Sequence, residues 1–380
     1  MPGLQVEIVK ADSLSMGEVD LWRGMVAANP DLVSPYFDPA FTRIAAGICP
    51  GAALAVLHRR GEIVGFFPHQ RRGGTIQPLA APMNDYHGII ARPEATPDLE
   101  TVAGLLGRSR LSVNAWVGPA RTGVARDTMM TVLPDEGFDA WYAERRGTFG
   151  KYFKDKERAR RSMETELGPI RVERGLRDPA LLAHLLELKR DQYRRTARHD
   201  IFACGWTMDL LHALMQSGVD GFGGSMAALW AGDRLCAIEY SLTGGDQCHF
   251  WFPVYEPSLA RCSPGILLTL DTMKLGGAAG LRTFDFGFGG EGYKKYFCND
   301  RRTVHEAVVL KPGIGASLSQ AAVAVLNAGG GHRGEQLRTS VRRRWNAIEA
   351  CETRPFERVR GAVAAARAAA GKAGRAMAET

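Results

Sequence analysis

The chain has 380 residues, 45% of them apolar and 23% charged, and a net charge of +7. At roughly 100–200 residues per domain this length suits two domains and some extra chain. The balance is that of a soluble globular protein, and no apolar run reaches the roughly 18 residues a membrane span needs. Residues 333–380 hold ten Arg and one Lys against five Glu, so they carry +6 of the +7 and leave the body near neutral. That excludes a DNA-binding body and points to an anionic partner for the tail. The seven cysteines are scattered without a C-x-x-C pair. With no signal peptide at the N-terminus, they read as thiols of a cytoplasmic protein, with no metal site.

In chain order, "ALAVLHRRGEIVGFFPHQRRGG" from Ala53 reads as two strands around a Gly-containing turn. The stretch "APMNDYHGIIARP" (81–93) follows, and a short basic segment occupies 151–167. Residues 179–196 are expected to be helical, with Leu182, Leu185, Leu186 and Tyr193 near one face. Residues 207–218 form a second predicted helix, with Thr207 as N-cap and Gly218 at its end. "AALWAGDRLCAIEYSLTGGDQ" from Ala227 repeats the earlier hairpin, aligning Gly232–Cys236 with Gly61–Gly65. Two matched hairpins indicate two copies of one α/β unit. A strand over 248–255 comes next. A helix over 263–280 then has Ser263 as N-cap and Pro264 at its first position. Strands are expected at 281–287 and 304–310, separated by the Gly-rich "FGFGGEGYKKYF".

This order, helix, helix, hairpin, strand, helix, strand, Gly-rich turn, strand, resembles the GNAT acyltransferase fold. "SPGILL" and "FDFGFGGEGYKKYF" resemble in particular the acetyltransferase domain of the CelD/BcsL-type proteins of cellulose, holdfast and other exopolysaccharide biosynthesis. The tandem arrangement is also similar to the FemAB transferases. The resemblance implies an α/β (α+β) fold of two tandem GNAT-like domains, each a mixed central sheet flanked by helices. A degenerate acceptor-side domain would span 1–150 and a catalytic domain 151–312, and a linker with an Arg-rich helical tail would span 313–380. It further implies an N-acyltransferase taking acetyl-CoA or another acyl-CoA, with an amino sugar or glycan intermediate as acceptor. Two alternatives stay open: a FemAB-like transferase using aminoacyl-tRNA, and a non-catalytic protein that senses a cyclic dinucleotide.

Amide formation from a thioester needs a held pyrophosphate and a route for protons off the amine and onto the leaving thiolate. Helix N-termini hold pyrophosphate, so Ser263, Pro264 and Gly265 are the expected cofactor contacts, with Arg261 adding charge. By the resemblance Tyr293 is the expected proton donor to the thiolate, with Tyr296 second. Lys294 or Lys295 would polarise the thioester or bind an acidic acceptor, and Asp285 would orient a donor or accept a proton. Glu239, a charge inside the apolar "LCAIEYSLT", fits a buried general base with a raised pKa, or else a solvent-facing position; His249 on the next strand is the alternative base. In the first copy, Asp85, Tyr86 and His87 are the expected acceptor contacts.

The tail has an apolar stripe of Leu337, Val341, Trp345 and Ile348 flanked by arginines. Three readings follow. It docks on the body, lies on the anionic inner membrane face, or uses Arg338, Arg342, Arg343 and Arg344 to bind an anion such as cyclic di-GMP.

Overall fold

The computed structural model describes residues 3–107, 110–196, 198–310, 344–354, 356–361 and 363. Strand β1 (Leu4–Val9) is followed by helices α1 (Met16–Ala28) and α2 (Pro39–Ile48). Ser15 and Glu18 close a reciprocal capping box at the start of α1. Strands β2 (Ala52–Arg59) and β3 (Glu62–Arg72) are the first predicted hairpin. They lead to β4 (Thr75–Pro78), β5 (His87–Gly88), α3 (Leu99–Leu106), β6 (Arg110–Val117) and β7 (Val124–Val132). Helices α4 (Phe138–Thr148) and α5 (Gly150–Leu167) join the halves.

The second half repeats the plan: β8 (Ile170–Leu176), α6 (Pro179–Arg195), α7 (Trp206–Met215), then the hairpin β9 (Phe222–Ala231) and β10 (Arg234–Gly244). It continues with β11 (Gln247–Tyr255), α8 (Pro264–Ala278), β12 (Thr283–Phe288), the short α9 (Lys294–Phe297) and β13 (Asp300–Leu310). Thr207 lies inside α7 rather than capping it, and its hydroxyl bonds the Ile201 carbonyl at 2.7 Å. Gly224 of β9 has no room for a side chain, because a Cβ there would sit 1.8 Å from the Tyr240 hydroxyl.

All thirteen strands among the described residues form one sheet, in the order β1-β2-β3-β4-β6-β13-β7-β12-β11-β10-β9-β8, with β5 beside β6. The expected two central sheets are therefore merged, and the sheet does not break at residue 150. The merger is reciprocal. In the first half β4 pairs β6 in parallel, and β6 then pairs antiparallel with β13 of the second half. In the second half β11 pairs β12 in parallel, and β12 then pairs antiparallel with β7 of the first half. The exchanged strands β7 and β13 pair with each other at the middle.

Helices cover both faces, so interior strands are apolar on both sides rather than alternating. Met226, Ala228, Ile238 and Tyr240 pack with Leu210, Leu211 and Leu214 of α7 and with Leu182, Leu185 and Leu186 of α6. Their neighbours in sequence, Ala227, Leu229 and Ala237, face the other way onto Leu267 and Leu268 of α8. Among the described residues no helix is long and apolar enough to cross a membrane.

Residues 344–351 form a further helix, α10, which is docked on the body. Glu349 is buried, ion-paired to Arg110 at 3.0 Å and bonded by the Thr75 hydroxyl at 3.0 Å. Arg72 donates to the Ala350 carbonyl at 3.0 Å, and the Trp206 indole donates to the Cys351 carbonyl at 3.2 Å. The helix thus bridges β3, β4 and β6 of one half and α7 of the other. Of the three readings of the tail, this segment takes the docked one: Ile348 of the predicted stripe is buried in the body, while Trp345 is 39% exposed. Arg344 belongs to this helix; Arg338, Arg342 and Arg343 lie outside the described residues.

Candidate active site

Strands β11 and β12 are paired over only three positions, from Gln247–Thr283 to His249–Asp285, and then diverge. A cavity of about 220 Å³ occupies the gap. Phe250 of β11, Thr269 of α8 and Phe286 of β12 line it from the α8 side. Lys189 and Tyr193 of α6, together with Trp251 and Phe252, line it from the α6 side. The cavity therefore runs through the sheet. It is small against the roughly 300–1,000 Å³ of a ligand pocket, and suits the reacting ends of two molecules entering from opposite faces.

Glu239 opens into this cavity. It is 2% exposed, and its Oε2 has no hydrogen-bond partner among the described residues. Burial pushes its carboxyl up to about 8, against the attraction of Lys189 and His249. The solvent-facing alternative for Glu239 is thereby removed. Lys189 sits across from it, its Nζ 3.1 Å from the carbonyl of Pro253, the residue that pairs with Glu239 in the β10–β11 ladder. Desolvation, reinforced by the nearby Arg198, lowers the Lys189 ammonium to about 8. The matched hairpins relate Gly65 to Cys236, and three residues further Pro68 stands where the second half has Glu239. The corresponding space in the first half, lined by Pro68, Tyr36 and Phe37, is only about 10 Å³.

Tyr293 also lines the cavity. Burial and the neighbouring Glu239 and Glu291 raise its hydroxyl well above the ordinary phenol value, which keeps it protonated and able to donate. The Gly-rich turn leading to it begins at Gly287, which takes φ +67°; there the left-handed backbone lets the Gly287 amide fold back on Asp285 Oδ1 at 2.7 Å. Lys294 holds the turn from inside, donating to the carbonyls of Phe286 (2.7 Å) and Phe288 and pairing with Glu291 at 2.8 Å. All three ammonium hydrogens are engaged, so Lys294 braces the turn and is not the expected polarising or acceptor-binding group.

The start of α8 departs in detail from expectation. Ser263 precedes the helix in a left-handed conformation without capping it, and its hydroxyl accepts from Lys156 Nζ of α5 at 2.9 Å. Pro264 has no amide hydrogen, and the Ile266 amide bonds the Ser263 carbonyl at 3.0 Å. Gly265 is left as the amide donor of the first turn, with the Lys156 charge beside it. Arg261 is exposed and held by Glu166 in a two-pronged ion pair.

Asp85, Tyr86 and His87 do not line the cavity. Tyr86 and His87 are sealed in the interior at 0% and 2% exposure, and burial lowers the His87 imidazole to about 3; this corrects their assignment as acceptor contacts. Asp85 instead reaches across to the second half, its Oδ2 3.0 Å from Nε2 of His249. On the other side of the ring, His249 Nδ1 is 3.6 Å from Asp285 Oδ1. Burial opposes the charge on His249, yet Asp285 and Asp85 together raise it to about 9. Burial likewise opposes ionisation of Asp285, but the His249 charge and the Gly287 amide hold it below the usual carboxylate range. Asp285 thus faces His249, behind the cavity wall.

The sequence reading missed Lys189 and Arg198. Lys189 falls on the stripe of Leu182, Leu185, Leu186 and Tyr193, and a lysine interrupting an apolar helical stripe was the available signal.

With this geometry in view, residues 150–295 match the family model described as an acetyltransferase (GNAT) domain, and the match takes in α5, Glu239, the β11–β12 gap and Tyr293. No curated protein matches the chain. Among solved structures it is similar to FemX, at 11% identity and TM-score 0.48, over 79% of this chain and 95% of that one. It is similar also to the C-terminal domain (DUF2156) of a proposed lysylphosphatidylglycerol synthetase from Agrobacterium fabrum, at 12% identity and TM-score 0.47, over 84% and 99%. A tandem GNAT protein from the clavulanic acid biosynthesis pathway aligns at 11% identity and TM-score 0.44, over 82% and 99%.

Proposed function

We propose that the chain is an acyl-CoA-dependent N-acyltransferase whose reaction takes place in the β11–β12 gap, with an amine such as an amino sugar as acceptor. One observation carries the reading. Within the segment that matches the GNAT domain, a buried carboxylate with no hydrogen-bond partner for one oxygen among the described residues faces a cavity lined from both sides of the sheet. The acceptor ammonium gives a proton to Glu239, which burial raises to about 8 and so makes a stronger base than an ordinary carboxylate. The amine nitrogen then bonds to the thioester carbonyl carbon, the carbon–sulfur bond breaks and the thiolate takes a proton from Tyr293; the second proton released from the nitrogen restores the Tyr293 hydroxyl, and Glu239 returns its proton to solvent. Gly265 and Lys156 would hold the pyrophosphate on the α8 side.

The test is calorimetric binding of acetyl-CoA together with amine-dependent thiol release. A Cβ at Gly265 would meet only Tyr255, at 3.7 Å, an ordinary contact, so Gly265→Val is compatible with the fold but places bulk where the pyrophosphate approaches. It should weaken acetyl-CoA binding by at least tenfold, about 1.4 kcal/mol. Unchanged affinity in the folded variant removes the cofactor placement.

A further inference from the structure

The charges around the cavity are not evenly disposed. On the turn side Lys294 and Glu291 neutralise each other at 2.8 Å. On the α6 side stand Lys189 and Arg198, which have no carboxylate within ion-pair distance among the described residues. Lys189 spends one hydrogen on the Pro253 carbonyl and keeps two, while Arg198 is exposed at the mouth. The two are close enough that Arg198 depresses the charge on Lys189. Glu239 and Glu291 attract Lys189 from the cavity lining but close no ion pair with it among the described residues, so the two cations still favour an anion between them. These cations lie on the face opposite Lys156 and the start of α8, so they are not part of the cradle assigned to the cofactor.

Resting on the acyltransferase reading, we propose that the acceptor is an amine that also bears an anionic group, a carboxylate or phosphate, which Lys189 and Arg198 bind while its nitrogen faces Glu239. The geometry favours such a molecule because cations and carboxylate lie along one passage. Glu239 opens near the middle of the sheet, Lys189 sits above the residue paired with it, and Arg198 is at the rim. Tyr193, Trp251 and Phe252 form an aromatic wall between them, suited to the apolar face of a sugar ring or a hydrocarbon spacer.

The experiment measures thiol release from acetyl-CoA by the full chain with three acceptors: glucosamine, glucosamine 6-phosphate and glutamate. Calorimetric binding of the same amines is measured in parallel. An anionic amine should be used at least about tenfold better than glucosamine in kcat/KM, as two charge-assisted bonds allow. Arg198→Gln and Lys189→Met should each remove that preference by raising KM for the anionic amine, and Arg198→Gln, at the exposed rim, should leave the KM for glucosamine little changed. Preference for the phosphate over the carboxylate identifies the group. Equal use of charged and neutral amines, or a preference that survives both substitutions, overturns the proposal. If no amine supports thiol release, the acyltransferase reading is what fails. Calorimetry then decides the anion site: binding of glucosamine 6-phosphate or glutamate that Arg198→Gln abolishes upholds it, and no binding by either overturns it.

Discussion

Asp85, on the loop after β4, lies 3.0 Å from Nε2 of His249 on β11, so a carboxylate of the first half holds a buried imidazolium of the second. The second carboxylate, Asp285, stands on β12 at the far side of the ring. The pair of strands that opens to form the cavity is thereby tied to the other half just before it diverges.

Replacing Asp85 with Asn leaves that charge with one carboxylate. Removing one partner of a buried ion pair costs 3–5 kcal/mol, and Asp85 is partly exposed, so the expected loss is smaller, about 1–3 kcal/mol. The pH dependence carries the signature. His249 is raised from 6.5 to about 9 in the folded state, so its contribution is fully present below pH 6.5 and is lost as pH rises through about 9. Urea unfolding should therefore show wild-type stability falling between those limits and a shallower fall in Asp85→Asn. Parallel curves would assign the charge elsewhere.

Glu239→Gln keeps the shape of the carboxyl and removes its basicity. Amine-dependent turnover should fall by about 10²-fold or more. The wild-type rate should climb with pH through about 8 as Glu239 ionises, and the variant should lose that rise. Stability should move the other way. A carboxyl whose folded pKa is raised destabilises the protein increasingly as pH rises above its unfolded value, so Glu239→Gln should be the more stable protein at pH 8. A variant with the wild-type pH–rate profile would transfer the role of base to another group.

Lys294→Met removes the brace that holds the Phe286 and Phe288 carbonyls and the Glu291 carboxylate. The turn over 287–293 should lose protection against amide hydrogen exchange while β9–β11 keep theirs. Turnover should fall because Tyr293 is no longer held at the cavity. Unchanged exchange in the turn would show that its glycines are fixed by other contacts.

Ending the chain before residue 344 strips α10 from the junction of the halves. Arg110, Thr75 and the Trp206 indole lose their partners, and each buried polar group left unpaired costs about 1–3 kcal/mol. The truncated protein should unfold several degrees lower than the full chain by calorimetry. The single substitution Glu349→Gln should reproduce part of the drop. An unaltered melting temperature would mean that the helix adds nothing to the body.

Much of this was legible along the chain because it is written in local pattern. The two hairpins announce themselves by alternation and turn residues, α6 by its stripe of Leu182, Leu185, Leu186 and Tyr193, and the turn at 287–292 by its glycines. Glu239 stood out as one charge in an apolar strand, although burial and solvent exposure looked alike until both faces of β10 were seen to be covered. What had no local signal was everything that depends on which strand lies beside which. The pairing of β7 with β12 and of β13 with β6 joins residues more than 150 positions apart, and hydrogen bonds between strands carry no mark in either sequence. The same holds for Asp85 beside His249 and for Glu349 beside Arg110: Asp85 reads as an acceptor contact and Glu349 as an ordinary helix residue until the fold brings a cation to each. Lys294 shows the limit most plainly, since a lysine next to a glycine-rich turn is chemically suited to catalysis, and only the positions of three oxygens around its Nζ make it a brace.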